Sequence, residues 1–216
     1  MTGATGYLGS TLLYELIHSS DSTIYCLVRP TPGITPYQRL VDVMCGYYGN
    51  DIAASMNGRV VVAAGDLERQ NLGLSASDRS LLEERIDSII HCGAEVKHFG
   101  DADYFARVNV DSTDRLLALA RGRNVRFHYI STLGIPEDLA FGGKWDQFIN
   151  SGYAGSISTD NVYTNSKLDA EKLVVKTCEE EGVPAAVYRI GNLSCHSRTG
   201  LFQKNILERL QRLDGT

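Results

Sequence analysis

Five short runs of apolar residues alternate along this chain with stretches of helical spacing, and that alternation most limits its fold. The runs are residues 23–28 (TIYCLV), 59–65 (RVVVAAG), 88–94 (SIIHCGA), 126–132 (RFHYIST) and 185–191 (AAVYRIG). They are apolar almost throughout, the pattern of strands covered on both faces and paired in parallel. Helices are predicted at 8–19, 37–48, 75–85, 102–122, 163–181 and 201–213. In the first, Leu8, Leu12, Leu13, Leu16 and Ile17 share one side. Strands and helices in this order predict an α/β fold, a doubly wound parallel sheet. A length of 216 residues suits one such unit, with no internal repeat or low-complexity linker.

The ends add to this expectation. In a doubly wound sheet a central strand runs into the first helix. Only Met1 precedes the loop that starts at Thr2, so that strand is expected to be missing, leaving two strands facing an unfilled slot. The chain stops in Leu213-Asp214-Gly215-Thr216, and the expectation is one dinucleotide-binding unit over residues 1–216, part of a longer protein.

Residues Thr2-Gly3-Ala4-Thr5-Gly6-Tyr7-Leu8-Gly9 form a glycine loop with the spacing GxxGxxG, just before a helix. A helix start offers unpaired N–H groups and a positive dipole end to a pyrophosphate, here through Tyr7 and Leu8. Gly3 and Gly6 let the backbone turn and come close to phosphates, with Thr5 between them. Twenty residues beyond Gly9 the second element ends in Leu27-Val28-Arg29-Pro30. A carboxylate there would read a ribose 2′-hydroxyl, whereas an arginine pairs with a 2′-phosphate. Arg29, joined by Arg39, points to NADP; solvated surface arginines are the alternative. Asp66 and Leu67 follow the next strand, where Asp66 could reach the adenine edge or serve as a turn residue. Cys92, Gly93 and Ala94 are small enough to let a ribose lie on the sheet edge.

Ser131 and Thr132 end the fourth run, where ligands sit in open α/β sheets. About thirty residues later comes Tyr163-Thr164-Asn165-Ser166-Lys167. Tyr163 and Lys167 are one helical turn apart on one face. Such a pair reads as a phenol that donates a proton and an ammonium that acidifies it and holds the nicotinamide ribose. Thr132 is favoured over Ser131 as the partner of Tyr163. Beyond them, Ile190, Gly191, Asn192 and Leu193 could offer backbone to the carboxamide of a nicotinamide. The segment 133–161, with Gly142, Gly143 and Gly152, is expected to wall a substrate cleft and to be mobile without ligand. Trp145 could line it or pack as an ordinary aromatic. His91 is expected in the core, and Glu179-Glu180-Glu181 on a solvated helix end.

Composition narrows the partners. A net charge of −5 with no basic stripe disfavours nucleic acid. No apolar run approaches the ~20 residues that span a bilayer. Five scattered cysteines without a CxxC pair read as free thiols of a cytoplasmic protein, with no metal site.

The order TGxxGxxG, LVRP, GDL, HCGAEVKHFG, VN, ST, YxxxK and RIGNL resembles an extended short-chain dehydrogenase/reductase with a Rossmann-like sheet. More narrowly it resembles the thioester reductase domains of nonribosomal peptide synthetases, with carboxylic acid reductases as relatives. The resemblance covers nearly the whole chain and implies an NADPH-dependent reductase. Its substrate would be an acyl or peptidyl thioester on the phosphopantetheine of a carrier protein, released as an aldehyde or reduced on to an alcohol. By motif position it implies Thr132, Tyr163 and Lys167 as catalytic residues. It also implies that the family's C-terminal substrate and docking part is absent here. Two other functions fit a related site: a nucleotide-sugar epimerase or dehydratase, which Arg29 disfavours, and a non-catalytic NADP sensor, which the Tyr163/Lys167 pair disfavours.

Overall fold

The computed structural model describes residues 1–97, 99–134, 143–151, 153, 161–197 and 200–203. Strands β1 (Ile24–Val28) and β2 (Val60–Ala64) pair in parallel, Ile24 opposite Val60 through Val28 opposite Ala64. Strands β3 (Ser88–His91), β4 (Arg126–Thr132) and β5 (Ala185–Ile190) form the other half, also parallel. Thr2 joins the halves by bridging Leu27 on one side and His91 on the other. Its N–H donates to the Ile90 carbonyl at 3.0 Å, and the Leu27 N–H donates to the Met1 carbonyl at 3.0 Å. The order across the sheet is therefore β2, β1, Thr2, β3, β4, β5. Met1 and Thr2 occupy the central position between β1 and β3. Behind them the expected slot is an apolar cavity lined by Tyr25, Leu27, Leu72, Leu82, Ile89 and Leu116.

Helices cover the sheet because their apolar sides need burial. Helix α1 (Tyr7–Ser19) and helix α2 (Pro36–Tyr48) bury Leu13, Ile17, Leu40 and Met44 against Cys26 and Val28. Local signals fix α2: Pro36 opens it, and the Thr35 hydroxyl accepts from the Gln38 N–H at 3.1 Å. A short α3 (Ile52–Met56), not expected from the sequence, follows it. Helix α4 (Ala76–Arg85) is capped by Ser75, which accepts from the Asp78 N–H at 3.0 Å. On the β4 side, Leu116, Leu117, Val125, Phe127, Tyr129 and Val174 form a second core.

Two expected elements differ. Residues 92–94 do not continue β3, which ends at His91 where its pairing with Tyr129 ends. The single helix expected over 102–122 is instead α5 (Ala102–Phe105), a π-helical segment (Ala106–Asp111) and α6 (Ser112–Leu117). There the Ser112 and Thr113 hydroxyls donate to the carbonyls of Val108 and Asn109, at 2.5 and 2.7 Å. Such back-bonding competes with the regular ladder, and π segments recur at functional sites. Helix α7 (Lys144–Asn150) occupies part of the stretch read as a loop; residues 135–142, 152 and 154–160 of that stretch lie outside the described residues. Helix α8 (Val162–Glu181) is capped by Asn161 and closed by Gly182 at φ 70°. The helix expected over 201–213 lies outside the described residues from 204 on, and 201–203 have no regular structure. No described helix is long and apolar enough to cross a membrane.

Candidate active site

Parallel strands end on one edge of the sheet, so Val28, Ala64, His91, Thr132 and Ile190 all deliver their following residues to one side. A cleft opens there over the glycine loop. It brings together Gly3, Thr5, Arg29, Arg39, Asp66, Leu67, Gly93 and Ala94, all expected cofactor residues. Arg39 is fixed by its Nη1, which donates to the Arg29 carbonyl at 2.7 Å. The Asp66 carboxylate accepts from the Glu68 N–H at 3.1 Å in a tight turn beside them.

The glycines have separate reasons. Gly3 has φ +73°, and a Cβ there would meet the Gly93 nitrogen at 2.6 Å. A Cβ on Gly9 would lie 2.0 Å from the Gly3 carbonyl oxygen, so Gly9 lets α1 pack on the loop. Gly6 is the residue before the first helical turn, and no side chain caps that turn. Backbone N–H groups at Tyr7 and Leu8 thus begin α1 at the cleft's loop. The Tyr7 phenol does something the sequence did not announce: it donates to the carbonyls of Ser194 and Leu201, at 2.7 and 2.9 Å. That ties the segment after Ile190, Gly191, Asn192 and Leu193 to the helix start.

Beneath the loop, hydroxyls and His91 form a directed chain. Thr2 Oγ1 accepts from the Gly93 N–H at 3.0 Å, so its proton is available to His91 Nδ1 at 2.7 Å. Thr113 gives its proton to the Asn109 carbonyl, so His91 Nε2–H donates to Thr113 Oγ1 at 3.1 Å. His91 is therefore neutral, and burial holds its pKa well below the ordinary value, with Lys167 adding to the effect. As expected it is a core histidine. His98 lies outside the described residues.

Tyr163 and Lys167, the pair expected to react, sit on α8. Tyr163 is half-buried and hydrogen-bonded to the Thr132 hydroxyl. Burial raises its pKa above the ordinary phenol value, which the Thr132 bond partly offsets. The phenol is protonated at neutral pH, as any phenol is; burial makes its proton harder to lose and the Thr132 bond makes it easier. The sequence suggested that Lys167 would acidify it; the influences that act on it here are burial and Thr132. Lys167 is 4% exposed, with Nζ 4.1 Å from the Tyr129 ring centroid. Burial lowers its pKa from 10.5 to about 7, opposed by Cys92 and Glu171. Cys92 itself is pushed up to about 11 by burial.

Of the two strand-end hydroxyls, only Thr132 reaches Tyr163. Ser131 is 1% exposed and donates inward to Glu171 Oε2 at 2.6 Å. Adjacent residues of a strand face opposite sides, which explains the split. Trp145 lies against the Arg189 guanidinium, 4.7 Å from its ring centroid, so it packs on β5.

Two polar residues were given no role in the sequence reading, although Asn109 stands in its VN motif. Asn109 bonds both backbone groups of Glu95, at 2.8 and 3.0 Å, and donates to Ser166 Oγ at 2.8 Å. It links the residues after β3 to the helix of Lys167. Glu171 lies one turn beyond Lys167 on the same face, wholly buried. The legible signal was a carboxylate at the third step of the 163/167/171 spacing.

Comparison with known proteins agrees with this geometry. A family model described as male sterility protein, an NAD-binding family, matches residues 1–210. A component of the linear gramicidin synthase of Brevibacillus parabrevis is 33% identical over 213 residues, which is 96% of this chain and 4% of that protein. The solved thiolation-reductase di-domain of an archaeal nonribosomal peptide synthetase superposes with a TM-score of 0.75 at 32% identity, covering 94% of this chain and 43% of that one. The terminal R domain of the myxalamid PKS-NRPS pathway gives 0.74 at 34%, covering 94% and 51%. The chain thus spans about half of those reductase chains and a small part of the synthase. It belongs to the male sterility protein family of NAD-binding domains, as a Rossmann-like extended short-chain dehydrogenase/reductase of the nonribosomal peptide synthetase reductase type.

Proposed function

We propose that this chain is the nucleotide-binding part of an NADPH-dependent reductase that releases a carrier-bound acyl or peptidyl thioester as an aldehyde. The observation that carries the reading is the Tyr163–Thr132 hydrogen bond, with Lys167 one turn away, at the sheet edge that also bears the Arg29/Arg39 cleft. The residues present suit a dinucleotide: a loop with no room for a Cβ at Gly3, an uncapped helix start and two guanidinium groups.

In this reading Gly3, Thr5, Gly6 and the Tyr7 and Leu8 amides cradle the pyrophosphate, while Arg29 and Arg39 pair with a 2′-phosphate. Asp66 and Leu67 border the adenine, and Cys92, Gly93 and Ala94 the ribose. Lys167 holds the second ribose, and Ile190–Leu193 face the carboxamide. The dinucleotide, when bound, supplies the hydride. Thr132 and Tyr163 together hold the thioester carbonyl oxygen. Tyr163 gives that oxygen its proton as negative charge develops. The resulting hemithioacetal expels the carrier thiol and leaves an aldehyde. Lys167, whose pKa burial brings down to about 7, stands one helical turn from the phenol and can hold or give up a proton near neutrality.

The test is NADPH oxidation by the complete reductase domain with a coenzyme A or carrier-bound thioester, with aldehyde identified by mass spectrometry. Turnover with NADPH and aldehyde release are expected. Binding of NADPH with no turnover of any thioester would overturn the reading.

A further inference from the structure

We propose that Glu171 is a positioning residue of this site, whose carboxylate sets the register between the catalytic helix and the strand that carries Thr132. Residues 163, 167 and 171 occupy successive turns of one face of α8. Glu171 is wholly buried, yet its carboxylate accepts from Ser131 Oγ at 2.6 Å and from Arg189 Nε at 3.0 Å. The Tyr153 phenol and Arg189 Nη2 also donate to it. Arg189 Nη2 reaches the Tyr153 oxygen as well, at 3.0 Å, which closes a ring of three side chains.

Two features make this more than a core ion pair. First, α8 grips the end of β4 twice, through neighbouring residues. Tyr163 holds Thr132, and Glu171, roughly 12 Å further along the helix axis, holds Ser131. A slide or tilt of α8 that misplaced Tyr163 would have to break the Ser131 bond. Second, the ring extends to Tyr153 and to α7. Tyr153 holds φ 63°, a left-handed conformation unusual for a tyrosine, which persists where surrounding contacts fix it. Trp145 of α7 lies against the Arg189 guanidinium, 4.7 Å from its ring centroid. A buried ion pair is weak evidence for stability, because apolar residues of equal volume often serve as well. A carboxylate that holds β4, β5 and Tyr153 to α8 beside the reacting groups has a geometric use that an apolar residue lacks.

Glu171 also bears on Lys167 directly. The groups that bear on that ammonium are Cys92 and His91 from the β3 side, the Tyr129 ring from β4, and Glu171 from α8 itself. His91 is neutral and Cys92 is a thiol at neutral pH. Glu171 is therefore the negative charge that favours the protonated lysine.

The inference rests on the reductase reading, and the experiment separates the two. In the complete reductase domain, Glu171→Gln paired with Arg189→Met leaves no unpartnered charge, and Ser131→Ala removes one hydroxyl only. With NADPH and a coenzyme A thioester, both are expected to lose about tenfold or more in kcat per folded molecule, with KM and NADPH affinity within about twofold. In the paired variant, the pH midpoint at which NADPH binding weakens with loss of the Lys167 charge is expected to fall. A merely structural role would lower the melting temperature and leave kcat and that midpoint unchanged, which would overturn the proposal. If the unmutated domain reduces no thioester, the functional reading fails, and the midpoint of NADPH binding alone decides. A lowered midpoint supports the positioning role, and an unchanged one overturns it.

Discussion

Nη1 of Arg39 donates to the backbone carbonyl of Arg29 at 2.7 Å, which places both arginines on the cleft that holds Gly3 and Asp66. If they read a 2′-phosphate, NADPH binds the parent reductase more tightly than NADH. Arg29→Ala is expected to weaken NADPH binding by about tenfold to a hundredfold, the loss of a charge-assisted bond worth roughly 1.5–3 kcal/mol. NADH binding should barely change. Fluorescence titration of both cofactors checks this, and equal affinities in the unmutated protein would contradict it.

Gly3 and Gly9 answer to different constraints from Gly33. A Cβ on Gly3 or Gly9 meets backbone atoms closer than 3.0 Å, whereas one on Gly33 meets nothing within 4 Å although its φ is +79°. Gly33→Ala should cost only about 1–2 kcal/mol, the strain of a left-handed alanine. Gly9→Ala should cost more and also abolish tight NADPH binding, because α1 must move off the loop. Chemical denaturation beside cofactor titration distinguishes them.

Lys167 makes stability depend on pH. Its folded-state pKa is lowered from 10.5 to about 7, so between those values the unfolded chain binds more protons than the folded one. Stability therefore rises with pH across that window and is lowest below about pH 7, where the ammonium is buried charged. Lys167→Met should remove this dependence and stabilise the cofactor-free protein near neutrality, by a gain on the order of a few kcal/mol. It should also abolish turnover. Melting temperatures of both proteins from pH 6.5 to 9 test the sign, and a parallel pair of curves would contradict it.

The sequence revealed those elements whose residues are decided by the sheet. β1 and β4 are apolar because helices and neighbouring strands cover them, whereas the outer strands β2 and β5 leave Val61 and Tyr188 exposed; the limits of all four fall within a residue or two of expectation. The end of β3 was misread because Cys92-Gly93-Ala94 is as small and apolar as a strand, while pairing partners run out at Tyr129. α3 and α7, of five and seven residues, are too short to show a period. The break in the helix over 102–117 depends on two hydroxyls that bond backwards, which composition does not announce. In the site, Thr132, Tyr163 and Lys167 were visible because their spacing is itself the geometry. Glu171 and Asn109 were not, since a single polar residue in a helix reads as surface until its buried face is known.

In the proposed reaction Tyr163 is the proton donor, held by Thr132. The most direct test of that role is single-turnover reduction of a coenzyme A thioester by the complete reductase domain, comparing the unmutated protein with Tyr163→Phe. The account predicts NADPH affinity within about twofold and a rate lower by ~10²–10⁴-fold, the usual contribution of a general acid. A Tyr163→Phe protein that keeps more than about a tenth of the rate would contradict it, since that is well short of such a loss.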